Sequence, residues 1–478
     1  MNLENLLVGS ELSHKKSEIK KIFFYRICGT GMGACACLAV EAGYEVAGAD
    51  MSFSPPMSTY LESQNIPLMK LSEVDKNILQ EYDLIVVGNS VPRNSEFATI
   101  VEESGVHFTS FPSFLGEYIL KDKEVIGISG THGKTTTTYF ITQMLETLGE
   151  DCGYFIGGII DGRAPSRFGK SKYFVIESDE YDSAYFQKIS KFRLYELDHM
   201  IITSLEFDHA DIFNSIEDIK NEFASIIPSL PGKIIANNEY KAIHDLKDKY
   251  PQKDWTIYGN DSSVGPVNIE TINAESSFSL KLGNSLVQFK TNIIGNHNLQ
   301  NISSAVLVLH ELGFNTLELQ ESVKKLGMVK RRQEERGYYK GALVIDDFAH
   351  HPKAITLTLE ALRVKYPLKK IVTVFEPISA TARSSHFQKE FRESLEKSDK
   401  VILAENQLKT TVSKSTNLNC ELIVKELNDK TIESYNVKDL DSLLKTIDSI
   451  VNEETLLVIL SNRTCLGLWE SEFVKNLS

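Results

Sequence analysis

Three things are scarce in this chain, and each absence excludes something. No apolar run among its 478 residues approaches the roughly 20 residues that a membrane span requires, so no membrane association is expected. Basic charge is in deficit: 51 lysines and arginines face 65 aspartates and glutamates, for a formal net charge of −14. Without a basic stripe to neutralise a phosphate backbone, nucleic acid is not expected as a partner. Small anionic substrates remain open, because a site can be locally basic on an acidic protein. Metal-type cysteine spacing is also missing. Cys28, Cys35, Cys37, Cys152, Cys420 and Cys465 form no CxxC pair, which fits reduced structural thiols in a cytoplasm. The opening Met-Asn-Leu-Glu-Asn, with Glu11 soon after, lacks the basic-then-apolar profile of a signal peptide, so a cytoplasmic location is expected. No internal repeat or low-complexity tract appears, and a monomer or weak homodimer is anticipated.

What is present is an ordinary globular composition, 42% apolar, over a length that suggests about three domains. The most informative stretch is Gly130-Thr131-His132-Gly133-Lys134-Thr135-Thr136, which follows the apolar run Val125–Ile128 and precedes a helical pattern. A strand, a glycine-rich turn and a helix opening on Lys-Thr wrap backbone N–H groups around phosphates. They place the lysine near the terminal phosphates and the threonine on a metal. The strict spacing asks for glycine at position 128, where this chain has Ile128, so the loop is a variant. Gly/Thr turns before helices are common, but a lysine at this offset after a buried strand favours nucleotide binding.

Before this loop, the strand-like run Ile22–Ile27 ends in Cys28-Gly29-Thr30-Gly31-Met32-Gly33-Ala34, a G-x-G-x-x-A pattern, and Asp50 closes the next such run. This is a dinucleotide-type βαβ fingerprint: tight turn, close approach to a diphosphate, and an acidic group for the far end of the ligand. Taken alone it suggests NAD. A third strand ends near Asn89, and the α/β alternation continues to about residue 118. Beyond the phosphate loop, two apolar runs end in polar clusters carrying Glu177 and His209. Ligands of parallel sheets bind beyond the carboxyl ends of strands, so Thr135, Glu177 and His209 are candidate ligands for magnesium bridging ATP phosphates. His297, Asn298 and Asn301 enter a helix further on; such amides are either caps or readers of an adenine edge. From about residue 329 four strand-like runs, starting at Ala342, Lys370, Lys400 and Thr455, suggest another open sheet. The first of them ends in Asp346-Asp347-Phe-Ala-His-His-Pro352. Arg331 and Arg332 just precede this segment, where adjacent basic residues are usually a solvated charge run.

The expected class is α/β with three domains: Rossmann-like over 1–118, P-loop ATPase-like over 119–328, and Rossmann-like over 329–478. The ordered set of motifs resembles the Mur ligases, ATP-dependent amide-forming enzymes of cell-wall precursor synthesis. The resemblance runs from about residue 20 to 470. Three stretches, Pro55–Thr59, Val87–Asn89 with Arg93, and Leu205–Phe213, look most like the branch that recycles peptide. That branch attaches L-alanyl-γ-D-glutamyl-meso-diaminopimelate to UDP-N-acetylmuramate. The alternative is the branch that adds L-alanine to the same sugar nucleotide.

The resemblance implies that Gly29, Gly31 and Gly33 hold a UDP-sugar diphosphate rather than NAD, with Asp50 near the uracil and Asn89 in the same site. It assigns Gly130, Thr131, His132, Gly133, Lys134, Thr135 and Thr136 to the ATP phosphates. Thr135, Glu177 and His209 are implied to hold Mg2+, with Lys134, Glu177 and His209 catalytic. His297, Asn298 and Asn301 would contact adenine, and Arg332 and Asp347 a phosphate and the ribose. A muramoyl carboxylate attacking the γ-phosphate would give an acyl phosphate, which the peptide amine then attacks; His350 or His351 is the guess for the amine proton. An oxidoreductase would leave the phosphate loop and the third domain idle, and a non-ligating nucleotide-sugar sensor would leave Lys134 and Glu177 idle. Some branches carry a carbamylated lysine where this chain has Phe223, with Lys220 short of the position. The family's Arg-Ser-Asn-Thr is Ile378-Ser-Ala-Thr381 here, with Arg383 beyond, and its Ser-Asn-Gly-Gly turn is Ser461-Asn-Arg463-Thr464. Loss of both glycines implies less backbone freedom where the amine substrate docks.

Overall fold

The computed structural model describes residues 2–55, 57–157, 163–208, 212–272, 275–379, 382–406 and 417–478. The first sheet holds strands β1 (Lys21–Tyr25), β2 (Glu45–Asp50), β3 (Leu68–Lys70), β4 (Leu84–Val87) and β5 (His107–Ser110), all parallel, in the order β3-β2-β1-β4-β5. Strands such as β1 and β4 are unbroken apolar runs because helices cover both of their faces: Phe23, Phe24 and Leu84–Val87 are fully buried. The direction of winding reverses between β1 and β4. The crevice beyond their carboxyl ends is the place where an open α/β sheet binds a ligand.

The central sheet follows with β6 (Glu124–Ser129), β7 (Gly153–Phe155), β8 (Ser166–Arg167) and β9 (Tyr173–Glu177). After the hairpin β10 (Asp182–Ala184) and β11 (Gln187–Ser190) it resumes with β12 (His199–Ile202), β13 (Ile234–Asn237) and β14 (Trp255–Tyr258). Its order is β14-β13-β12-β6-β9-β7-β8, with only β8 antiparallel. The β-leaning stretch beyond residue 240 contains an antiparallel sheet of β15 (Val267–Ile272), β16 (Glu275–Leu282) and β17 (Ser285–Thr291).

The last sheet has the order β18-β19-β23-β20-β21-β22. Four of its strands, β19 (Ala342–Asp347), β20 (Lys370–Phe375), β21 (Lys400–Ala404) and β23 (Thr455–Leu460), match the four apolar runs. The sequence reading passed over the other two, β18 (Glu334–Tyr339) and β22 (Glu433–Val437). Both are edge strands with polar, partly exposed faces, so neither produces an apolar run.

Four helices matter for the site: α1 (Thr30–Glu41), α2 (Lys134–Thr147), α3 (Asn296–Glu311) and α4 (Pro352–Lys365). Helix α3 begins at Asn296, so His297 and Asn298 lie in its first turn. The helical run 111–120 crosses the expected division at residue 118 and leads into β6 at Glu124.

The first two sheets share one apolar core. Ile27, Cys35 and Phe114 from the N-terminal part join Phe155, Phe174 and Phe192 from the central part. The Ser166 hydroxyl donates to the Ala34 carbonyl across this junction at 2.8 Å. The β10–β11 hairpin clips onto the first sheet, with Gln187 Oε1 accepting from Ser110 at 2.5 Å and Ser113 at 3.0 Å. The C-terminal sheet has separate cores on its two faces and meets the rest mainly through side chains. The Phe207 ring lies 5.3 Å from His386, and the His132 ring 4.6 Å from His351.

Candidate active site

The carboxyl ends of β6, β9, β12 and β13 meet the carboxyl end of β19 across a cavity of about 320 Å³. The phosphate loop forms its floor. Gly130 and Gly133 have φ of +130° and +82°, in the region that disfavours a Cβ. A Cβ on Gly130 would fall 2.6 Å from the Ser204 carbonyl, and one on Gly133 would fall 2.7 Å from Asn301 Oδ1. The loop is therefore held between the β12 exit and helix α3. His132 N donates to Ser204 Oγ at 2.7 Å, and Glu206 N donates to Thr131 Oγ1 at 3.0 Å. Lys134 opens α2 and turns its ammonium back onto the Gly130 carbonyl at 2.5 Å, inside the loop where a phosphate would sit.

Glu177 ends β9 beside this loop. Burial pushes its carboxyl up, against the Thr135 hydrogen bond and the Lys134 charge, which act to lower it. Glu177 Oε1 is buried with no hydrogen-bond partner among the described residues. An orphaned carboxylate oxygen next to a threonine hydroxyl is what a hard divalent cation satisfies, so Thr135 and Glu177 fit a magnesium ion. His209, the third expected ligand, lies outside the described residues. Its neighbour Asp208 is buried and lines the cavity.

The other expected ATP residues also line this cavity, apart from Gly130. Their contacts refine the expectation. The Asn298 amide donates to Ile294 O at 2.9 Å and is buried, and the Asn301 oxygen lies beside Gly133 of the phosphate loop. His297 is held to about pKa 4 by burial, then by the Arg332 and His132 charges. Asp347 accepts from Gln333 N at 2.8 Å and Ala349 N at 2.7 Å. Burial raises its carboxyl against the opposing pull of Arg332. The arginine pair is not a solvated run. Arg331 reaches Asp346 at 3.2 Å and the carbonyls of Ser461 and Arg463 at 2.6 and 2.7 Å. Arg332 lies over the Phe348 ring at 5.2 Å and faces the cavity.

Sequence reading missed Ser204, Asn237, Glu239 and Gln300, which complete the lining. Asn237 ends β13 and donates to Gln300 Oε1 at 3.1 Å; Gln300 in turn donates to Glu239 Oε1 at 2.5 Å. For Ser204, Asn237 and Glu239 the available signal was their place at or just past buried strands, the same rule that singled out Glu177; Gln300 lies within helix α3.

The sugar-nucleotide candidates form a second location, beyond β1, β2 and β4. Gly29 caps α1 and faces open space. A Cβ on Gly31 would meet Phe111 at 3.6 Å, whereas one on Gly33 would lie 2.3 Å from Met57 Sδ. Gly33 thus lies close against Met57 and the Ile27 carbonyl. Asp50 accepts from Cys28 N at 2.8 Å and Met51 N at 2.7 Å, fixing the turn. Asn89 is exposed just beyond β4.

The altered C-terminal turn also works differently from the expectation. Its left-handed residues are Cys465 (φ +53°) and Leu466 (φ +51°), not Arg463 or Thr464. The buried Glu376 carboxylate holds the turn, accepting from Ser461 Oγ at 2.6 Å, Cys465 N at 3.1 Å and Leu466 N at 3.0 Å. Phe223 is fully buried, and Lys220 is paired with Glu217 and Asp245.

Comparison with known proteins agrees with this architecture. The chain matches the Mur ligase family catalytic domain over residues 21–123, the Mur ligase middle domain over 128–309, and the Mur ligase glutamate ligase domain over 331–463. The chain belongs to the Mur ligase family. It is an ATP-dependent amide ligase. Among curated relatives it is 35% identical to a UDP-N-acetylmuramate–L-alanyl-γ-D-glutamyl-meso-2,6-diaminoheptandioate ligase of Haemophilus influenzae, over 80% of this chain and 85% of that protein. It is 32% identical to a UDP-N-acetylmuramate–L-alanine ligase of Lactococcus lactis, over 90% of this chain and 92% of that one. A murein peptide ligase from Psychrobacter arcticus superposes with a TM-score of 0.68 at 28% identity, covering 96% of this chain and 99% of that one. The Thermotoga maritima UDP-N-acetylmuramate–alanine ligase superposes at 0.76 with 23% identity, covering 95% and 98%, a likeness of fold. Among the described residues no helix is long and apolar enough to cross a membrane.

Proposed function

We propose that this ligase joins recycled L-alanyl-γ-D-glutamyl-meso-diaminopimelate to UDP-N-acetylmuramate through an acyl phosphate. The observation that carries the reading is the single cavity in which Lys134, Thr135 and Glu177 of the central sheet face Arg332 and Asp347 of the C-terminal sheet. The choice of peptide rests on the identity to the Haemophilus relative. ATP lies along the phosphate loop, with Lys134 and Arg332 countering the charge that builds on the γ-phosphoryl group. Thr135 and Glu177 would hold a magnesium ion, which would supply charge neutralisation to the ATP phosphates. Gly29, Gly31 and Asn89 receive the sugar nucleotide, whose carboxylate extends toward the loop. Holding three substrates in line is the main contribution of the protein, since the attacking groups need position more than activation.

ADP release tests this. With UDP-N-acetylmuramate, Mg2+ and ATP, turnover is expected with the tripeptide and not with L-alanine. Turnover with alanine alone would overturn the reading in favour of the L-alanine branch.

A further inference from the structure

Three buried polar atoms meet where the C-terminal part docks on the phosphate loop. His132 Nε2, Glu206 Oε2 and His351 Nε2 are each buried with no hydrogen-bond partner among the described residues. A ring nitrogen of each histidine and a carboxylate oxygen of Glu206 lie within 4.8 Å of one another, with His132 Nε2 3.4 Å from Glu206 Oε2. Unsatisfied groups of this kind are rare in folded proteins and call for an occupant or a task.

A metal ion is the first thought, and the tautomers oppose it. The Lys353 backbone N–H donates to His351 Nδ1 at 3.3 Å, where His351 caps α4. In a neutral ring that leaves the proton on Nε2, and a protonated nitrogen is no ligand. The ring is neutral: burial holds His351 down to about pKa 3. His351 therefore presents an N–H to the cluster, and Glu206 is the acceptor available to it. Burial raises the Glu206 carboxyl, but the neighbouring His132, His351 and Lys353 outweigh that and leave it below its usual range. An ionised Glu206 fixes the His132 proton on Nε2. With the proton there, Nδ1 is the ring nitrogen left to accept one, on a residue lining the same cavity as Lys134 and Glu177. Asp208, Tyr240, His350 and Lys353 are further ionisable groups facing the cluster.

We propose that His132 accepts the proton of the incoming amine, that Glu206 positions it, and that His351 completes the arrangement when the C-terminal part docks. This rests on the ligase reading above. The attacking amine is the free base. As its nitrogen bonds to the acyl carbon, the carbon–oxygen bond to phosphate breaks with its electron pair going to inorganic phosphate. The surplus proton on nitrogen passes to His132 Nδ1. His351 itself has no lone pair to offer, because Lys353 occupies Nδ1. Because His351 arrives from the C-terminal sheet while His132 and Glu206 belong to the central one, the base is fully assembled only in the closed molecule. Acyl phosphate and base are thereby kept from meeting water before the peptide is in place.

The test separates the two half-reactions in the full chain by rapid quench. Without amine, ADP formation reports acyl phosphate; with tripeptide, amide product reports the second step. Glu206→Gln is expected to form acyl phosphate, trapped with hydroxylamine, at close to the wild-type amplitude. Its amide formation should fall roughly 10²-fold, the usual weight of a positioned base. Hydroxylamine, unprotonated at neutral pH, should react equally well in this variant and in wild type. His351→Asn keeps a cap acceptor for Lys353 N but loses the Nε2 proton, and is expected to lower kcat with little change in KM. Equal loss of both half-reactions in Glu206→Gln, in protein whose melting temperature is unchanged, would overturn the proposal. So would amide formation at the wild-type rate. A wild-type enzyme that makes no ADP with UDP-N-acetylmuramate would instead remove the ligase reading on which it rests.

Discussion

At the scale of single residues, the phosphate loop carries the strongest expectations. Lys134→Ala should leave the fold intact, because its one hydrogen bond goes to a loop carbonyl. ADP formation should nonetheless fall by about 10²–10³-fold or more, the typical loss when one preorganised charge donor is removed from a transition state; steady-state ADP release measures it. Gly133→Ala should fail for a different reason. Its φ of +82° and the Asn301 oxygen 2.7 Å from a Cβ position combine strain with a clash. A cost of about 1–3 kcal/mol is expected in denaturant unfolding, with a weakened ATP affinity. These residues were legible in the sequence because phosphate loops demand particular residue types at particular offsets. Glu206 was not, since nothing in Leu-Glu-Phe-Asp reveals that its side chain turns toward a histidine 74 residues earlier.

Elements carry the pH dependence. The α4 cap and the loops around it bury His297, His350 and His351, each held down by burial, to about 4, 4 and 3. In the unfolded chain they titrate near 6.5. Between these values the unfolded state binds more protons, so stability is present above about pH 6.5 and is lost as pH falls toward 4. Asp346, which burial raises to about 6, works in the opposite direction over part of that window. Comparing variants removes this overlap: His351→Asn is expected to show a shallower loss of urea-unfolding midpoint between pH 6.5 and 4.5 than wild type. The β10–β11 hairpin carries a second expectation. Gln187→Ala leaves two serine hydroxyls without their acceptor at the junction of the first two sheets. It should cost about 1–3 kcal/mol and increase proteolytic cleavage there. Apolar strands were readable as runs of Val, Ile and Leu, whereas β18 and β22 were hidden because edge strands tolerate polar residues on their open sides.

At the scale of the molecule, the first two sheets behave as one body because they share a core. The C-terminal sheet has its own cores and touches them through side chains such as Phe207 against His386 and Phe387. Motion is therefore expected between that body and the C-terminal part, opening and closing the ATP cavity. Small-angle scattering should show compaction on adding ATP and UDP-N-acetylmuramate. Phe207→Ala should weaken that compaction and lower kcat, while thermal stability stays close to wild type. The three-part α/β order was visible beforehand, since each segment repeats buried strand, loop and helix. The shared core was not, because apolar residues that face another domain look the same in sequence as those facing their own helices.

The sequence by itself determined the class of chemistry. Glycines, lysine and threonine at fixed offsets after a buried strand can serve little but phosphate, and their local backbone geometry needs no distant partner. Only the tertiary structure decided which side chains are spent on architecture and which face the cavity. It turned Arg331 toward Asp346 and the carbonyls of Ser461 and Arg463, left Glu177 Oε1 unpaired among the described residues, and brought His132, Glu206 and His351 together. Contacts between residues far apart in the chain follow from how whole sheets pack, and a linear string of residues carries that information only once it has folded.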